Sequence, residues 1–210
     1  MVAQRKSDAP GGGVAGILCK PCAQAAVLVL VALALKATTF GDPNRSADEM
    51  FYFLVGQRMH EGLLPYVDVW DRKPLGLFLI YYLIAGISFS VWSYQIVACL
   101  GAALTAWLIA RMVSDWTDRA AGLLAGVSYL LVIVMFEGAT GQSPDFYGPL
   151  IAGAALLVLT ETRRGEARLG WRGWTAMALC GVAITIKQTT LFESVFLGLW
   201  LLAGLRRHGA

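Results

Sequence analysis

Apolar residues fall into seven long runs, about 16–40, 74–92, 93–112, 120–136, 146–161, 173–187 and 189–205, with short polar stretches between them. Runs of this length predict helices near the roughly 20 residues that cross a bilayer. Pro74 to Ala110 contains no Asp, Glu, Lys or Arg. Backbone in lipid must satisfy its own polar groups, so the predicted class is all-α: a polytopic membrane helical bundle. One polar stretch stands apart. Residues 48–76, "DEMFYFLVGQRMHEGLLPYVDVWDRKPLG", concentrate charge between two apolar runs.

Composition supports this class. Of 210 residues, 57% are hydrophobic and only 15% charged, too apolar for an ordinary soluble domain. The net charge of +3 points to cytoplasmic loops of a membrane protein, with the bilayer and not nucleic acid as partner. Cys19 and Cys22 form a CxxC, but no second pair accompanies it and the only histidines are His60 and His208, so no metal site is read there. Cys99 and Cys180 lie in apolar runs as packing residues. Residues 1–15 are polar and glycine-rich, a predicted disordered cytoplasmic tail; residues 206–210 form a basic cytoplasmic tail. The run Cys22 to Leu35, flanked by Lys20 and Lys36, has the shape of a signal peptide, with Ala32 and Ala34 as a cleavage box. The polytopic remainder favours an uncleaved first helix whose lysines snorkel.

Charge between the runs orients them. "RMVSDWTDR" (111–119), "ETRRGEARLGWR" (161–172) and "RRH" (206–208) belong on the cytoplasmic side with Arg5, Lys6 and Lys20. If every run crossed, Arg111 and the 161–172 loop would lie outside, so one run does not cross. The segment 74–92 is the best candidate: it starts at Lys-Pro, contains Gly76 and Gly86, and ends in polar "SFSVWSYQ". The competing solution is that the first run does not cross. With 74–92 held at the outer interface, the loop of about 41–73, Asp145 and Lys187 converge on the outer surface.

Within that loop, Ser46 and Glu49 have capping-box spacing, and Phe51, Leu54, Val55 and Met59 recur at helical spacing up to a stop at Gly62. An amphipathic helix over about 47–61 is predicted, lying on the outer membrane face. Asp48 and Glu49 open it, which serves helix capping as well as chemistry. Arg72 and Lys73 precede an apolar segment on the side where cations are not expected, suited either to a lipid phosphate or to snorkelling. Asp145 heads one span and Lys187 ends another; ionisable groups at membrane depth are functional candidates. Glu193 is a candidate partner for Lys187.

Four motifs in this order, "ADEMFYFLVGQRMHEG", "LPYVDVWDRKPLG", "SPDFYGPLIAGAALLVL" and "GVAITIKQT", resemble the C-type (GT-C) membrane glycosyltransferases. The branch is that of the dolichyl-phosphate-mannose–protein mannosyltransferases and the lipid A aminoarabinose transferase, and the resemblance covers about residues 24–205, a single module over 16–205. It implies a sugar passed from a polyprenyl-phosphate donor to a lipid, glycan or protein acceptor at the extracytoplasmic face of the cell's cytoplasmic (inner) membrane. It implies that Asp48, Glu49 and Asp145 are catalytic, with Asp48 as the base or the group that orients the acceptor. It implies donor-phosphate binding by Arg72, Lys73 and Lys187. Asp68, Asp71 and His60 are candidates for the acceptor or a metal shell. Two departures stand out: Lys73-Pro74 is followed by Leu75 where the family often has a second proline, and Gln188-Thr189 stands where Gly-Pro is common. Family members are usually about twice as long, so the chain reads as an N-terminal catalytic half, truncated or in need of a partner.

The residue types suit the chemistry. A phosphate leaving group needs cations, and an attacking hydroxyl or amine needs a base. Asp48, Glu49 and Asp145 could instead share a divalent ion, Mg or Mn, being oxygen ligands. Two other readings stand beside the transferase: a lipid or sugar-lipid transporter, and an inactive GT-C-like membrane subunit. A transporter predicts two related halves with broken midplane helices, and no internal repeat is present.

Overall fold

The computed structural model describes residues 21–137, 141–165 and 168–209. The predicted tail 1–15, Cys19 and Lys20 lie outside them. The chain forms α1 (Pro21–Lys36) with a 3-10 turn Ala37–Thr39, α2 (Ala47–Met59), α3 (Leu75–Ile87), α4 (Val91–Ser114) and α5 (Arg119–Glu137). α6 (Ser143–Arg163), α7 (Trp171–Ile186), a 3-10 turn Gln188–Thr190 and α8 (Leu191–Gly209) complete it. No strand occurs among the described residues, and the class is the all-α polytopic bundle. The basic stretch at 206–209 is helical and continues α8.

Five segments are long and apolar enough to cross a membrane: Cys22–Thr39, Val91–Ser114, Arg119–Phe136, Ser143–Arg163 and Gln188–Arg207. α3, at 13 residues, is about 20 Å long against a hydrocarbon core of about 30 Å. Both its ends meet the same end of the bundle. Gly76 lies against the Thr185 carbonyl at the close of α7, and Gly86 lies against His60 just beyond α2. The segment after Lys73 is thus a short apolar helix packed along α2, Tyr52 and Phe51 meeting Phe78 and Gly56 meeting Tyr81. α7, at 16 residues, is short for a span yet connects both ends, from Gly170, whose N–H donates to Glu161, to Thr185.

Small residues set the packing. Ala102, Ala103, Ala106 and Ala110 on α4 receive Leu28 and Ala32 of α1 and Leu130 of α5. Gly126 lets α5 meet the Ala106 carbonyl, where a Cβ would stand 2.8 Å away. Without a hydrophobic drive inside lipid, such close van der Waals packing is what holds spans together. Ala154 and Val158 of α6, Ala176 and Cys180 of α7, and Leu197 and Leu201 of α8 form a second apolar layer.

Arg119, Arg163 and Arg207 lie at one end. The Arg163 guanidinium stacks 4.4 Å from the Trp116 ring centre, Arg207 lines the same crevice, and Gln24 donates to the Arg119 carbonyl. The opposite, acidic end holds α2, α3, the start of α6 and the end of α7 around an aromatic core of Tyr52, Phe53, Phe78, Tyr81, Tyr94 and Phe146.

α2 forms over the predicted residues, and Gly62, at φ +96°, ends its run as expected. Of the predicted apolar face, Val55 is buried and Phe51 and Met59 pack against the core, but the buried face is rotated from it. Glu49, Tyr52, Phe53 and Gly56 turn inward with Val55, while Leu54 is half exposed. The rings of Tyr52 and Phe53 meet Phe78, Tyr81 and Tyr94, and Gly56 admits the α3 backbone, a Cβ there standing 2.6 Å from the Tyr81 carbonyl carbon. The capping box does not form either. Ser46 Oγ accepts from Gln142 instead of capping α2, and Glu49 is buried away from the helix start.

Candidate active site

The acidic end is organised by a buried ion pair. Lys36 closes α1 and is 2% exposed; Asp145, in the first turn of α6 behind Pro144, is equally buried. Lys36 Nζ donates to both Asp145 oxygens, at 2.8 and 2.9 Å. Gly141 N–H adds a bond of 3.2 Å to Oδ2, and Tyr81 OH donates to the Gly141 carbonyl at 2.6 Å. Gly141 is required twice over, since φ is +143° and a Cβ would stand 2.7 Å from the Tyr81 hydroxyl. Lys36 therefore does not snorkel. It reaches inward because a buried carboxylate at a helix head is its best partner.

Glu49 lies against this pair. Its side chain is fully buried, and neither carboxyl oxygen has a hydrogen-bond partner. The nearby Gln142 amide favours the charged form of Glu49, but the bond it makes at 3.0 Å is to Ser46 Oγ. Burial first, then the negative charge of Asp145, push the Glu49 pKa from 4.5 to about 7, with Lys36 pulling the other way. An acid poised there is neutral or charged depending on small changes around it.

Asp48, one residue earlier, is exposed. Tyr52 OH, one helical turn on, donates to Asp48 Oδ2 at 3.2 Å. Burial, then the negative charge of Asp48, hold the Tyr52 hydroxyl well above its ordinary range, so it stays a donor. The Lys73 ammonium lies 5.5 Å from the centre of the same ring. The Lys73 backbone is fixed from both sides: its N–H donates to Asp71 Oδ1 at 2.7 Å and its carbonyl accepts from Tyr66 OH at 2.6 Å. Tyr66 takes a left-handed backbone, φ +69°, to do so, a strained conformation for a bulky residue.

Lys187 stands beyond α7, its ammonium 5.6 Å from the centre of the Tyr147 ring. Glu193 is exposed and makes no ion pair with it. Gly76 and Thr185 touch where α3 meets α7, a Cβ on Gly76 falling 2.4 Å from the Thr185 oxygen. Lys73 and Lys187 thus flank one helix contact. Tyr147 also lines an apolar groove of about 570 Å³ between α4, α5 and α6, with Ile109, Met112, Val132 and Ile151.

The remaining candidates serve the loop. Asp68 accepts from Leu64 N–H at 2.8 Å, and His60 stacks on Tyr82 with Nε2 donating to its carbonyl at 2.9 Å. Arg72 is exposed beside Lys73. Cys22 is a free thiol. The carboxylates do not fit a shared Mg or Mn ion in this arrangement. The Lys36 ammonium faces both Asp145 oxygens, and among the described residues no group of three or more His, Cys, Asp or Glu could hold a metal. Sequence reasoning missed Lys36, Tyr52 and Tyr81. Lys36 carried a readable signal, being a cation at the end of one span with an anion heading another.

A search of the curated proteins and a search of the solved structures each found no match. The family model of the dolichyl-phosphate-mannose-protein mannosyltransferases matches residues 71–209, from the loop before Lys73 to the end of α8. On that match, and with its helical membrane architecture, the chain belongs to this family of membrane glycosyltransferases.

Proposed function

We propose that the protein moves a sugar from a polyprenyl-phosphate donor to an acceptor at the acidic end of the bundle, on the extracytoplasmic face of the cytoplasmic membrane. One observation carries this reading: Tyr52 joins an exposed carboxylate and a cation, its hydroxyl on Asp48 and its ring beneath Lys73. A base and a phosphate site are thus a single side chain apart. Asp48 takes the proton of the acceptor hydroxyl or amine as that atom attacks the anomeric carbon. The bond from that carbon to the phosphate oxygen breaks, and Lys73, with Arg72 or Lys187, balances the charge on the departing lipid phosphate. A single displacement inverts the anomeric centre. The apolar groove beside Tyr147 suits the isoprenoid chain, and arginines at the far end support a cytoplasmic position for that end.

The test is Lys73→Ala, assayed with decaprenyl-phosphate mannose in proteoliposomes. The Michaelis constant for the donor rises, and that for the acceptor stays put. An unchanged donor constant assigns Lys73 to snorkelling.

A further inference from the structure

We propose that Lys36 and Glu49 are positioning residues for the transfer: the Lys36–Asp145 pair and a neutral Glu49 carboxyl together hold the first turn of α2, and with it Asp48, at the site. The proposal rests on Asp48 being the base. It starts from an anomaly of geometry. Glu49 is fully buried with both oxygens unpartnered, beside an ammonium that already binds another carboxylate. A charged carboxylate in that position lacks compensation and is driven outward. A neutral one is tolerated among the aromatic rings of the acidic end.

The groups facing Glu49 come from every packed element. They are Lys36 of α1, Asp48 and Tyr52 of α2, Tyr81 of α3, Tyr94 of α4, and Asp145 with Gln142 at the head of α6. Among these only Lys36 is a cation. Removing Asp145 leaves Lys36 free to pair with Glu49 and favours its ionised form. Removing Lys36 takes away the one positive charge beside Glu49 and favours the neutral form. Because Glu49 titrates higher when buried than when exposed, its support for the docked α2 turn is complete below pH 4.5. That support declines as pH rises and is gone above about 7. Asp48, one residue away on the same turn, moves with it and loses its bond to Tyr52.

The full chain in proteoliposomes supports two readouts. First, the infrared band of protonated carboxyl groups is followed from pH 5 to 9. The parent shows a component titrating near 7 that is missing in Glu49→Gln. Its midpoint moves up in Lys36→Met and down in Asp145→Asn, by on the order of one pH unit. Second, turnover of decaprenyl-phosphate mannose is measured across the same range. The alkaline loss of kcat follows the infrared midpoint in each variant, the donor Michaelis constant does not, and Glu49→Gln loses the alkaline limb. The double variant Lys36→Met/Asp145→Asn leaves no unpaired buried charge and carries the same two readouts if a single variant does not insert. A titrating band that survives in Glu49→Gln overturns the proposal, as does a kcat profile indifferent to Lys36 and Asp145. If the parent turns over no donor at any pH, the proposed donor is wrong, while the infrared titration still decides the state of Glu49.

Discussion

The two ends of the bundle carry opposite kinds of charge in opposite ways. At one end, Arg163 and Arg172 lie over the exposed rings of Trp116 and Trp171, and Arg111 meets Asp115 at 3.7 Å near the surface. These cations are anchors, each replaceable by another that reaches water. At the acidic end the charge goes inward. Lys36, Asp145 and Glu49 are buried together, and Asp48 alone of the acidic group is exposed. Burying ions costs several kcal/mol each unless they are paired; the arginine end buries the Glu161 carboxylate, met by the Gly170 N–H, whereas the acidic end buries three ionisable groups against one another. The difference separates charge that orients a membrane protein from charge that a site requires.

The sharpest way to break the comparison is sidedness. Single cysteines at Asn44 and Gln188 are labelled by an impermeant maleimide from one side of the membrane, and one at Arg164 only from the other. Labelling of Asn44 and Gln188 from different sides would end the single-face site. Next in size, Asp48→Asn lowers kcat by about 10²–10⁴, the range for losing a general base, while the protein still inserts; retained turnover takes Asp48 out of the mechanism. Lys36→Met or Asp145→Asn costs about 3–5 kcal/mol in denaturant unfolding, as for a broken buried pair. The double variant recovers most of that loss. Arg163→Ala costs less than about 1 kcal/mol by the same measurement, the value of an exposed cation on a ring. A cost at Arg163 equal to that at Lys36 would erase the distinction between the two ends.

The bundle was legible because bilayer thickness fixes run length. The run after Lys73-Pro74, which charge parity singled out, is indeed the short apolar helix of 13 residues. The family motifs picked out Asp48, Lys73, Asp145 and Lys187, and all four lie at the acidic end. Pairings across the bundle were less legible. Spacing suggested that Glu49 caps its own helix, yet tertiary burial of Tyr52 and Phe53 rotates α2 and carries Glu49 inward. Spacing alone also cannot show that Lys36 and Asp145, 109 residues apart, are one unit. Asp68, Asp71 and His60 looked like chemistry because they are ionisable, whereas their atoms close turns and stacks.

The contact of Gly76 with Thr185 has one further consequence. Main chain meets main chain there beside the Thr185 hydroxyl, so the spacing between the Lys73 loop and the end of α7 is set like the jaws of a caliper, largely by backbone atoms.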